Sequence, residues 1–250
     1  MSSQNTPIPY CGTPPAPGEL LTRFNLDPLL IAALAAIVLV HLIRITDNRQ
    51  RQYVLIGWLV AAAALISPLC ALSVALFSAR ISQHMILLLV AAPLIALGLP
   101  RKESARSATG MRLASISFFV SLWFWHMPNP YYATFASSTI YWLMHISLFG
   151  SAIWLWRELL HHAPQHGGEA LLSGIFASMQ MGLLGAVITF ASHPLFEPHL
   201  LTAPLWHLTP LQDQQLGGVV MWVPGIFLFL WVTIRSLHRL WSQLEESRTA

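Results

Sequence analysis

Residues 78–100 read SARISQHMILLLVAAPLIALGLP, an apolar stretch long enough to cross a bilayer as a helix, which takes about 20 residues. Seven such runs follow one another: Pro28–Ile45, Tyr53–Leu76, Ala79–Leu99, Met111–His126, Thr139–Leu160, Ala170–Ala191 and Leu216–Leu237. They are continuously apolar rather than alternating, which excludes the strands of a membrane barrel. The expected fold is an all-α membrane protein, a bundle of seven transmembrane helices. Only 9% of residues are charged, against about 25% in a soluble domain. The ten tryptophans suit the two membrane interfaces. Residues 1–27 are polar and Pro-rich, with no n-region and h-region of a signal peptide, and are expected to form a flexible extracytoplasmic tail. Residues 28–240 are expected to form the seven-helix domain and 241–250 a cytoplasmic tail.

Basic residues set the orientation, because inner loops are enriched in Lys and Arg. Arg44, Arg49, Arg51, Arg101, Lys102, Arg106, Arg112, Arg157, Arg235, Arg239 and Arg248 fall on one side, eleven of the chain's thirteen. Arg23 and Arg80 fall on the other. This places the amino terminus outside and the carboxyl terminus in the cytoplasm. The net charge of +3 is spread over loops with no basic patch, so nucleic acid is not an expected partner.

Ionisable residues inside a span are costly and are candidates for function. His84, His126, His145, His193, His199 and His207 lie on or near the outer side, and the first three have a neighbouring Met: Met85, Met127 and Met144. Imidazole with thioether suits copper, and thioether favours Cu(I). Neighbours at i and i+1 do not face each other on a helix, so a site must draw one ligand from each of several spans. His84 and His145, a turn inside the outer face, are better placed than the loop residues His193, His199 and His207, which solvent can satisfy. The bland alternative for each is an interhelical hydrogen bond. Arg80, one turn before His84, disfavours a bound cation; it is expected to pair with Glu197 or Asp213, to hold an acidic partner, or to snorkel to the headgroups. Asp213 serves equally as a helix cap or as a ligand. Cys11 and Cys70 are both on the outer side, where they form a disulfide, offer thiolates to copper, or are unrelated. No HExxH, GxSxG or P-loop motif occurs, and an enzyme is not expected.

The chain resembles the CtaG-type family of cytochrome c oxidase assembly proteins over roughly residues 50–240. The resemblance rests on Ser67-Pro-Leu69, Gln83-His-Met85 with Ala92-Pro-Leu94, Trp125-His-Met-Pro128, His145 with Phe149, and Leu184-Gly-Ala186 with Phe190. Its strongest part is Asp213-Gln-Gln-Leu-Gly-Gly218 followed by Met221-Trp222 and Pro224-Gly225. The resemblance implies a helper in maturation of haem–copper oxidases, acting at copper delivery, with oxidase subunits and a periplasmic copper carrier as partners and copper held transiently. Carried over, the candidate metal residues are His84, His126, His145 and Asp213, with Met85 and Met221 as thioethers. One departure stands out: where the family pattern implies a second His one turn before His84, this chain has Arg80. Two other readings compete, a haem-binding electron carrier using paired histidines and a transporter of copper or a small solute.

Overall fold

A computed structural model describes residues 8–100, 108–161 and 166–249. The seven apolar runs are helical, one of them broken in two. They are α1 (Pro28–Arg44), α2 (Asn48–Ile66) with the short α3 (Leu69–Ala75), α4 (Phe77–Met85) continued through a π-helical turn Ile86–Ala91 into α5 (Ala92–Gly98), and α6 (Ala108–Trp125). After the short α7 (Pro128–Ala136) come α8 (Ser138–His161), α9 (Gly167–Thr189) and α10 (Pro210–Thr249). No strand occurs among the described residues. Phe77–Gly98, Ser138–His161, Gly167–Thr189 and Pro210–Arg235 are long and apolar enough to cross a membrane. A fifth is added if α2 and α3, bent by 48°, form one broken span; α1, at 17 residues, is shorter. The chain is a membrane protein. Arg101, Lys102, Arg106 and His162 lie outside the described residues.

Local chemistry explains the breaks. Ser67 precedes Pro68, which disfavours the helical region for it, and its extended backbone ends α2. The carbonyls freed there are taken by the amino-terminal segment: Asn25 donates its backbone N–H to Ile66 O at 2.8 Å and its side-chain amide to Leu65 O at 3.3 Å. The π turn has a similar logic. Pro93 has no N–H to offer Leu88, five residues earlier, and the Trp156 indole donates to that carbonyl instead at 2.7 Å.

The segment expected to be a flexible tail is tied to the bundle over residues 8–27. Cys11 and Cys70 form a disulfide. The Tyr10 ring stacks on Tyr141 at 4.8 Å and meets Trp142 edge-on at 5.0 Å. Its hydroxyl donates to Asp27, which also caps α1 by accepting from Leu29 N. That hydrogen bond, followed by the one from Leu29, holds the Asp27 carboxyl below its ordinary range, while burial and then Asp27 push the Tyr10 hydroxyl up to about 12. At the other end α10, uninterrupted by Pro224, runs on through residues 241–249, read above as a tail.

The bundle has two unlike ends. One carries the basic residues that begin α2 and end α1. The other carries the start of α4, the end of α6, α7 and the segment 190–209, and it holds a dense set of buried polar groups.

Candidate metal site

Three helices bring three imidazoles together. His84 lies two turns into α4, His126 directly follows α6, and His145 lies two turns into α8; all are buried. The His84 ring meets His126 edge-on at a centroid distance of 5.6 Å and His145 at 5.5 Å. Helical hydrogen bonds fix two of the rings. His126 Nδ1 donates to Leu122 O at 2.7 Å and His145 Nδ1 to Tyr141 O at 3.0 Å. Each proton is thereby held on Nδ1, leaving a lone pair on Nε2. Both Nε2 atoms, and both ring nitrogens of His84, are buried without a hydrogen-bond partner. Buried polar atoms are rarely left so, and each costs about 1–3 kcal/mol.

In donor kind the cluster suits a metal, and the two ring spacings from His84 match those of imidazoles that share an ion. Metal-bound histidines commonly donate their second N–H to a carbonyl, as His126 and His145 do. With bonds of ~2.0 Å to each nitrogen, two imidazoles sharing one ion have ring centres about 5–6 Å apart. A void of about 10 Å³ lies between His84 and His145, walled by Leu87, Leu88, Leu148 and Phe149. That is room for about one water-sized particle. The shell is not closed: among the described residues no three His, Cys, Asp or Glu side chains stand ready-made to hold an ion. Closing it requires the rings to turn.

The remaining candidates lie elsewhere. Asp213 caps α4 from across the bundle: its carboxylate accepts from Phe77 N at 2.7 Å, Ser78 N at 3.0 Å and Ser78 Oγ at 2.5 Å. His84 is six residues beyond Ser78, about 9 Å along the helix. The rest of the Asp213 motif is also architectural. Gln214 accepts from Leu195 N and donates to Ile188 O, fastening segment 190–209 to α9. A Cβ on Gly217 would meet the Phe77 ring at 2.4 Å, and one on Gly218 would meet Thr189 Oγ1 at 2.2 Å. Met85 and Met221 are buried in the main apolar cluster with Phe77, Phe118 and Trp125.

Arg80 neither snorkels nor pairs with an acid. It is 2% exposed, and the ion pairs among the described residues do not include it. Its guanidinium lies over the rings of Phe135, Tyr131 and Tyr141 at 4.5, 4.9 and 5.7 Å and donates to Thr134 Oγ1 at 2.6 Å. Glu197 is exposed. His199 also departs from expectation: unlike His193 and His207, which are exposed, it is buried against Phe77, Tyr131 and Phe135. Its Nε2 is 2.6 Å from the Tyr131 hydroxyl. Burial, then the Arg80 charge, lowers its pKa to about 3. The aromatic run Pro128-Asn-Pro-Tyr-Tyr-Ala-Thr-Phe135 builds this box.

Fold and site thus define an all-helical membrane protein with a buried imidazole cluster near one end of its bundle. A family model for cytochrome c oxidase caa3 assembly factors matches residues 33–243, and the chain belongs to that family. No curated protein and no solved structure matches the chain.

Proposed function

We propose that this assembly factor acts without catalysing a reaction, holding a copper ion briefly at His84, His126 and His145 and passing it to a haem–copper oxidase. In this reading all seven apolar helices span a bacterial plasma membrane. The amino terminus and the histidine cluster are on the outer side, where a periplasmic copper carrier loads the site, and the carboxyl terminus is cytoplasmic. The observation that carries the reading is the set of orphaned ring nitrogens: the His84 ring meets those of His126 and His145, and four of the six ring nitrogens are buried without a hydrogen-bond partner. Asp213, Met85 and Met221 drop out as ligands in favour of packing roles. Edge-to-face contact between His84 and His145 leaves no gap for a porphyrin plane, which counts against the haem carrier.

The test is copper per haem in oxidase from membranes of a His84→Gln strain. A fall in copper content, with this protein's own level unchanged and partial rescue by added copper, is expected. Normal copper occupancy would reduce His84 to a packing residue.

A further inference from the structure

Arg80 puts a permanent positive charge beside the cluster. It lies one turn before His84 on the same helix face. Tyr141 forms a wall shared by both: its ring is 5.7 Å from the guanidinium carbon and 4.2 Å from the His145 ring. Three aromatic faces and Thr134 hold the guanidinium in place, so it cannot swing away when an ion arrives. Asp213, the carboxylate at the start of that helix, is engaged by Phe77 and Ser78. A metal entering here meets neutral imidazoles and one fixed cation in a water-poor interior.

Resting on the copper reading above, we propose that Arg80 is the specificity-determining residue of this site, admitting a singly charged soft ion, Cu(I) or Ag(I), and rejecting doubly charged Zn(II), Co(II) and Cu(II). Three neutral imidazoles are by themselves a good zinc set, as carbonic anhydrase shows. No ligand in the cluster carries negative charge to offset a second positive charge. Repulsion by Arg80 counts once against a monovalent ion and twice against a divalent one. Over roughly one helical turn, ~5.4 Å, at an effective dielectric of ~20, each unit of charge changes affinity roughly 200-fold. The same repulsion weakens the monovalent ion's hold, which suits a carrier that must release its cargo.

The test uses the purified full-length protein in lipid nanodiscs. Ag(I) and Cu(I) are titrated against a monovalent chelator, and Zn(II) and Co(II) against a divalent one. The wild type is expected to bind the monovalent ions, with loss on His84→Gln, and to exclude Zn(II). Arg80→Gln should raise Zn(II) and Co(II) affinity roughly 200-fold more than Ag(I) affinity, while Arg80→Lys, which keeps the charge, should stay near the wild-type ratio. His84-dependent binding of Zn(II) as tight as that of Ag(I) in the wild type would overturn the proposal. So would an unchanged ratio in Arg80→Gln. The wild-type comparison decides alone if Arg80→Gln does not accumulate. Absence of His84-dependent binding of any ion would instead bring down the copper reading, and this proposal with it.

Discussion

Two polar clusters lie near the same end of this bundle, and they are built on opposite terms. Around Asp213 the polar groups are matched: the carboxylate accepts three hydrogen bonds, and Gln214 is bonded through both its oxygen and its nitrogen. Around His84 four ring nitrogens are buried and unmatched. A membrane interior penalises unsatisfied polar groups heavily, so the first cluster stabilises the fold and the second costs it free energy. The contrast separates two kinds of residue that the sequence presents alike. Asp213 has the shape of a part of the architecture, whereas four ring nitrogens of the histidines have no hydrogen-bond partner.

Substitutions should divide along this line, and the largest effect is expected at Asp213. Asp213→Ala strands the N–H groups of Phe77 and Ser78 and should cost roughly 3 kcal/mol or more. Its thermal midpoint in detergent and its level in membranes should both fall; a midpoint equal to wild type would break the comparison. Next is Trp156→Phe, which removes the donor to Leu88 O beside Pro93 and should cost about 1–3 kcal/mol, read from the same unfolding curves.

Acid should act on the box around His199. Its folded pKa lies below its unfolded one, so its contribution is complete above about 6.5 and is lost as pH falls toward about 3. Protection against hydrogen exchange in residues 195–209, measured relative to the intrinsic amide rate at each pH, should fall over that window, and His199→Gln should flatten the dependence. Wild-type protection that does not change with pH would show that the box is not held by neutral His199. The smallest effect on stability is expected at the cluster: His84→Gln should cost less than about 1 kcal/mol, read from the same unfolding curves, because it removes no hydrogen bond.

How much of this was legible depended on whether the cause was local. The helices could be read because apolar runs of spanning length have few other ways to satisfy a backbone in lipid. His84, His126 and His145 could be read because polar groups in apolar helices are conspicuous. Asp213 was legible as a capping residue, but the helix it caps is α4, whose Ser78 lies 135 residues earlier in the chain, and no local pattern gives that pairing. The same holds for His199, whose loop position suggested solvent, and for Arg80, whose partners are three rings rather than an acid. The Cys11–Cys70 bond stayed open because spacing alone does not choose between a disulfide and free thiols.

The central claim is that the unmatched imidazoles are a copper site. X-ray absorption on the Cu(I)-loaded, purified protein tests it most directly. The account predicts three histidine nitrogens at ~2.0 Å in the wild type. It predicts loss of one from the shell, with weaker binding, in a His84→Gln protein that unfolds at the wild-type temperature. An unchanged copper shell in that variant, or copper bound without imidazole scattering in the wild type, would contradict it.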